Sequence, residues 1–426
     1  MRPLHSIGLV ASAMALAGSA RASGFNYADV FPGDRAAAMS GAFVALSDDS
    51  TGAYYNPAGL VRAQADSVSV SANAFSWRSL TTRNSFFGDD LKAASETFYP
   101  SAVASTTRFA SLPELSFGFS IVVPNQEDFD SQQKFHPALF DGIDTHFTLD
   151  SEESLTTYEL GPSVAWALEP ELSVGATLYA IYSTSNVRNG LTHVDQLETP
   201  GSIPLVTGFE FQSAEGTALG AVAVLGLEWR PRDDLTLALT GHPPGYVHHD
   251  LHSRSTILTL SDDGVLVPNP DSGKRIDTRF DEGPPATITP ALAWHPNEAF
   301  TLDVDVSWYL HRGFHIGGVP VTREGIWNTS AGAEYRVLDR VPLRVGFFTN
   351  HTSSPAPKPG DTRFLDHVSD LGFTVGLAYR LDYAELSIGL RESWGDGKSV
   401  AVTDVSQVVN EDASETTVFV GSRYQF

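Results

Sequence analysis

Apolar and polar residues alternate at every second position through pairs of segments joined by short turns, and this limits the fold more than any other property of the chain. In 155–168, Tyr158, Leu160, Val164, Trp166 and Leu168 share one face, while Thr157, Glu159, Gly161, Ser163 and Ala165 share the other. Such period-two patterning marks strands with one apolar side. After the turn Glu169-Pro170-Glu171, residues 172–186 place Leu172, Val174, Ala176 and Leu178 on one face. The same unit returns across Pro231-Arg232-Asp233, Pro296-Asn297-Glu298, Asp339 and Asp382, and in weaker form across Leu112-Pro113. With single strands at 67–76 and 414–426, the pattern predicts 14 antiparallel strands. An even number is what single-chain bacterial barrels have.

The connections differ by parity. Six turns are short, whereas 125–153, 187–215 and 244–285 read as long polar loops. Short periplasmic turns and long external loops are the habit of outer-membrane barrels. Alternation alone suits a soluble sandwich equally well, because only the solvent facing the apolar side differs. Aromatics near strand ends (Trp166, Trp229, Trp294, Trp308 and Tyr379) favour lipid. The predicted fold class is therefore all-β, a 14-stranded antiparallel transmembrane β-barrel in a Gram-negative outer membrane.

Arg2, an apolar run over 7–17 and Ala20-Arg21-Ala22 read as an export signal over 1–22. That run is too short to span a bilayer as a helix. There is no Cys, so no disulfide or thiolate metal site is available to hold an exported chain together. A net charge of −24 argues against a nucleic-acid partner, since nothing offsets phosphate repulsion. In the last strand Val418, Val420, Tyr424 and Phe426 alternate with polar residues. A terminal strand ending on Phe resembles the signal read by the barrel-assembly machinery, with Tyr424 and Phe426 as its aromatic positions.

Residues 23–65 fit no strand; they mix small and aromatic residues as a packed segment would. Residues 33–45 suggest a short helix, and Asp48-Asp49-Ser50 and Asn56-Pro57-Ala58-Gly59 a cap and a turn. Ser23-Gly24-Phe25, Gly33-Asp34-Arg35-Ala36, Ser40-Gly41-Ala42-Phe43, Asp48-Asp49 and Asn56-Pro57-Ala58 together resemble the FadL family of outer-membrane transporters for long-chain fatty acids and other hydrophobic compounds. The resemblance implies a hatch (plug) of 23–65 inside the lumen of a barrel formed by 66–426, anchored by Asn56, Pro57 and Ala58. It implies a hydrophobic ligand caught in a groove between external loops, with Leu205, Val206, Phe209, Phe211, Tyr246 and Val247 as contacts. Phe25 would reach an inner site, and a kink of the third strand, which Gly118 would permit, would open a sideways exit. Tyr54 to Leu60 also resembles wider groups of such barrels, so a structural or secretion-related role stays open. So does a general or selective porin, although a plug argues against an open pore.

The implied partners are a hydrophobic small molecule, outer-membrane lipid and lipopolysaccharide, and the barrel-assembly machinery, with the chain a monomer. No cofactor fingerprint appears. The histidines of Val247-His248-His249-Asp250-Leu251-His252 have ligand-like spacing but read as solvated loop residues, so no metal is expected. The acidic runs 127–130 and 150–153 read as solvated surface. No catalytic set is evident: Asp305 and His311 share a strand face, but six residues put them about 20 Å apart.

Overall fold

A computed structural model of the protein describes residues 25–64, 66–136, 144–196, 205–260, 265–270, 272–361, 363 and 365–426. The export signal read over 1–22 lies outside these residues. Six long strands come first: β1 (Ser67–Phe86), β2 (Asp89–Thr107), β3 (Leu115–Phe135), β4 (Asp144–Glu169), β5 (Leu172–Gln196) and β6 (Leu205–Arg232). β7 (Leu235–His242), β8 (Tyr246–Leu260), β9 (Leu266–Pro268), β10 (Arg275–Glu282), β11 (Thr287–Asn297) and β12 (Phe300–Tyr309) follow. Then come β13 (Arg312–Ile316), β14 (Val319–Arg323), β15 (Ile326–Leu338), β16 (Val341–Asn350), β17 (His367–Arg380), β18 (Ala384–Val400) and β19 (Val408–Gln425).

Neighbouring strands pair antiparallel, and β19 returns to pair with β1 from Ser67↔Gln425 to Thr82↔Glu411. The strands that cross the membrane thereby close into a cylinder, as a bilayer demands. Two positions in the wall are each filled end to end by two strands, β7 with β8 and β10 with β11. The wall is thus a closed barrel of 14 strands. The short turns fall at 170–171, 233–234, 298–299, 339–340 and 381–383, with a longer connection at 108–114. These are the places the sequence marks.

Along β4, Tyr158, Leu160, Val164, Trp166 and Leu168 point outward, each at least a third exposed, while Ser163 and Ala165 are buried on the lumen side. Tyr158 and Trp166 bracket the apolar band. Eight residues at about 3.3 Å each span about 26 Å, or about 20 Å along the membrane normal at a tilt of about 40°. Trp229, Trp294, Tyr335, Tyr379 and Tyr424 continue the lower aromatic ring.

The three long loops expected from the sequence are a correction. They are mostly strand: β3 runs to Phe135, β4 begins at Asp144, and β5, β6, β8 and β10 extend likewise. The reason lies in an inversion of face. Above Tyr158 the outward residues of β4 become Thr156, Ser154, Glu152, Asp150, Thr148 and His146, while Leu155, Leu149 and Phe147 turn inward and are buried. Alternation persists, but the apolar side moves from lipid to lumen. Phe86, Leu91, Phe135, Phe147, Leu149, Leu191 and Val402 pack there as a second core above the membrane.

Residues 25–64 lie in the lumen, because their short elements touch opposite walls of the closed cylinder. The helical turn Asp34–Ala38 contacts β16 to β19, whereas Gly52–Tyr55 and the 3₁₀ turn Pro57–Val61 contact β3 to β6. Fully buried Asn56 donates to Val44 O (3.0 Å) and Leu227 O (3.4 Å), and its Oδ1 accepts from Ala58 N (3.1 Å). Pro57 opens the 3₁₀ turn, where its missing N–H is no loss. Ser173 Oγ donates to Ala58 O (3.0 Å). The cap expected at 48–50 is not formed: the N-cap of Gly52–Tyr55 is Thr51, without a side-chain cap, and Asp49 instead accepts from Thr51 N (2.8 Å) in the preceding turn. The wall is shaped for this segment: a Cβ on Gly226 would collide with Asn56 Oδ1, and one on Gly346 with the Met39 carbonyl carbon.

Buried charge fastens the same segment at the short-turn end. Arg344 binds Glu334 (2.7 Å) and Glu385 (2.6 Å), Arg380 binds both (3.0 and 2.8 Å), and Arg35 reaches Glu334 (3.0 Å). Arg423 joins Glu385 (3.2 Å), and Arg62 pairs with Glu228. Buried ions are stable only when they are paired in this way.

Candidate functional site

Above the buried turns the lumen opens into a cavity of about 480 Å³, a volume typical of small-ligand sites. Its floor is Phe31, Val44, Tyr54 and Tyr55; its walls include Leu155, Ile181, Val187, Val222 and Val247. Phe280, Ile316, Val319 and Val321 face it from the other side. These side chains are apolar because they sit where the inward positions of long strands meet the aromatic N-terminal segment. Burying a ligand methylene among them gains about 0.8 kcal/mol.

Phe25 closes one side. Its ring lies under the Arg323 guanidinium, 4.6 Å from the centroid, and packs with Phe314, Val321 and Leu365. Its carbonyl accepts from Ser353 N (3.0 Å) and Ser353 Oγ (2.7 Å). Arg323 is itself held by Glu282 (2.6 Å). Tyr27 stacks on Tyr309 at 4.3 Å, so the start of the segment is tied to the wall by rings as well as by hydrogen bonds.

The wall is irregular at one place beside the cavity. Val122 faces Glu159 on β4, but the next pair is Asn125↔Thr157, so β3 carries one extra residue around Pro124. Buried positions of β3 accordingly switch from even (Ser116, Ser120, Val122) to odd (Glu127, Phe129, Ser131). On the other side, the β2–β3 ladder records Ala102↔Val122 and then nothing until Ala94↔Asp130. A bulge with lapsed pairing bends a strand and opens a sheet. Val30, Tyr99 and Val123 pack together at this lapse, and Pro124 and Asn125 line the cavity.

The sequence-derived residues distribute unevenly. Phe25 and Val247 face the cavity. Phe209, Phe211 and Tyr246 do not: Glu210 and Gln212 take the inward positions of β6, Phe211 is 38% exposed, and Tyr246 is 59% exposed with its hydroxyl on Asp281 (3.1 Å). These are strand residues rather than loop residues, and parity sends them outward. Leu205 and Val206 open β6, and their side chains lie outside the described residues. The kink is not at Gly118, which pairs regularly with Thr106 and Ser163 and lies against Leu60; the irregularity comes a few residues later, at Pro124. Tyr424 and Phe426 both point out of the barrel, and Phe426 N donates to Asp66 O (3.0 Å).

A family described as outer membrane protein transport protein (OMPP1/FadL/TodX) matches residues 13–425. The chain belongs to this family. Among solved structures, a FadL homologue from Pseudomonas aeruginosa superposes with a TM-score of 0.69 at 14% identity, over 94% of this chain and all of that one. The toluene transporter TodX of Pseudomonas putida gives 0.60 at 16% identity, over 88% and 93%. The CymD monoaromatic hydrocarbon channel gives 0.57 at 14%, over 93% and 97%. At these identities the likeness concerns the fold. No curated protein sequence matches. Like other OMPP1/FadL/TodX-family barrels, this protein resides in the Gram-negative outer membrane.

Two parts of this barrel's site were missed from sequence. The hairpin β13–β14 supplies Phe314, Ile316, Val319 and Val321, and Leu365 covers Phe25. For the hairpin a signal exists: Gly317-Gly318, both at positive φ (56° and 87°), separates two alternating runs. Leu365 carries none. His248 and His252 bond Asp281 and Asp277 across the β8–β10 ladder (2.7 Å each). Hydrogen bonds from Arg275 and His252 hold the Asp277 carboxyl below its ordinary range. Among the described residues no cluster of three or more metal-ligating side chains forms.

Proposed function

We propose that the protein takes up hydrophobic compounds across the outer membrane by passive diffusion, through a plugged barrel with a sideways exit. One observation carries the reading: the apolar cavity, walled below by the N-terminal segment, reaches the irregular wall at Pro124. The solved relatives include a toluene transporter and a monoaromatic hydrocarbon channel, which supports the chemical class. An apolar molecule gains nothing from a water-filled pore, and the lipopolysaccharide leaflet is a poor route for it. A cavity that ends at a lapse between β2 and β3 hands its occupant to the bilayer without a passage through water.

In this account residues 23–65 are the hatch, held by Asn56, Pro57 and Ala58, and residues 66–426 the barrel. Phe25 lines the inner site, and Val30 stops the lapse until ligand displaces it. Residues 1–22 direct export, Tyr424 and Phe426 address the chain to the assembly machinery, and the barrel works as a monomer among lipid and lipopolysaccharide. In a planar lipid bilayer the purified protein is expected to show almost no steady ion current. A large, persistent open-channel conductance would identify a porin instead.

A further inference from the structure

The charges on the cavity wall are arranged against one kind of occupant. Both guanidiniums there are engaged: Arg323 by Glu282 (2.6 Å), and Arg363 by Asp361 (2.6 Å). Asp250 is paired with Arg279 (2.6 Å), and Asp305 accepts the backbone N–H groups of Phe43 (2.9 Å) and Val44 (3.0 Å). His242 and His249 are imidazoles, mostly neutral above pH 7. A second, smaller cavity of about 80 Å³ holds Arg78, but among Glu127, Asp366, Asp370 and Glu415.

Glu159 differs from all of these. It lines the cavity on the inward face of β4, and its cross-strand neighbours are Val122 and Ile181, both apolar and buried. Among the described residues no hydrogen bond or ion pair engages its carboxylate. Of the nearby hydroxyls, Thr157 is committed to Ser183 (3.0 Å) and Tyr179 to Ser120 (2.7 Å), while Tyr54 faces the same cavity without a hydrogen bond to Glu159. A carboxylate in apolar surroundings is costly unless something donates to it. Glu159 also stands beside the bulge, since Val122↔Glu159 is the last regular pair before Pro124. Glu159 thus lines the cavity next to the lapse in the wall.

We infer that Glu159 is the specificity-determining residue of this cavity, and that its ligands are apolar molecules bearing a hydrogen-bond donor or cationic head (a hydroxyl or an amine) rather than a carboxylate. This rests on the hydrophobic-uptake reading and names its substrate class. A donor head satisfies the Glu159 oxygens while the apolar body fills the cavity. A carboxylate head would meet Glu159 with no free wall cation to offset the repulsion.

The test uses three probes of equal chain length, decylamine, decanol and decanoate, on the full-length barrel in lipid nanodiscs at pH 8, with binding read by scintillation proximity. The wild type is expected to bind decylamine at least about ten-fold more tightly than decanoate, a difference of about 1.4 kcal/mol. Glu159→Gln should cut decylamine affinity about ten-fold and raise decanoate affinity by a similar factor, with decanol changed less than about three-fold. Glu159→Asp, which keeps the charge, should keep the wild-type order. Decanol binding within that three-fold range, since a Gln or Asp oxygen also accepts from a hydroxyl, certifies that each variant is folded. Equal binding of decylamine and decanoate by the wild type, or a ratio that Glu159→Gln leaves unchanged, overturns the inference while the uptake reading stands. Failure of the wild type to bind all three probes overturns the uptake reading itself.

Discussion

Deleting Pro124 is expected to lower uptake of an apolar compound at least about ten-fold, equivalent to about 1.4 kcal/mol on the barrier, and to leave the barrel folded. The extra residue in β3 lies between Val122↔Glu159 and Asn125↔Thr157. Removing one residue there lets both pairs fall in one register and brings the inward positions of β3 into a single phase. The bend of β3 at the lapse is then lost, and the one-residue offset passes to β2, whose 94–102 is as long as 122–130 of β3. Loss of the bend closes the sideways exit, and β3 gains an unbroken ladder with β4. Uptake in cells and heat-modifiable migration on gels separate the two effects. Unchanged uptake by the deletion variant would place the exit elsewhere.

Replacing Arg344 is expected to have the largest effect on stability. Its side chain is 1% exposed and bridges Glu334 and Glu385, which also hold Arg35, Arg380 and Arg423. Arg344→Ala leaves two carboxylates at the base of the lumen short of a partner, and breaking a buried ion pair in this way costs about 3–5 kcal/mol. Because Arg35 and Asp49 belong to the N-terminal segment, that segment loosens together with the wall. Urea unfolding from lipid vesicles reads the loss. Arg83→Ala, which breaks an exposed pair with Asp412, serves as the control and should leave the midpoint nearly unmoved. Equal midpoints for the two variants would refute the anchoring role.

The fold is legible in the sequence where one physical cause acts alone. In the membrane the outward face must be apolar, so Trp166, Trp229 and Trp294 and the short turns after them are legible strand by strand. Above Tyr158 a second cause enters: water replaces lipid outside, and Leu149, Phe147 and Leu191 turn inward to build their own core. Alternation survives but reverses phase, and a polar outward face looks like a loop. Phe209, Phe211 and Tyr246 read as loop contacts because of it, yet they sit on strands where Glu210, Gln212 and Val247 hold the inward positions. Gly118 looked like a kink because glycine permits one. The actual bend at Pro124 comes from an extra residue, and a one-residue offset shows only when β3 is registered against β4. The pairings Asn56–Leu227 and Phe25–Ser353 join positions far apart in the chain, and no local pattern encodes them.

The central claim, that an apolar molecule occupies the lumen above the N-terminal segment, is tested most directly by native mass spectrometry of the protein after mild extraction from the outer membrane. The expected spectrum contains a co-purified small hydrophobic molecule, released when Val247 or Ile181 is exchanged for a charged residue. A barrel that carries no such molecule, and takes none up when offered decanol, would contradict the account.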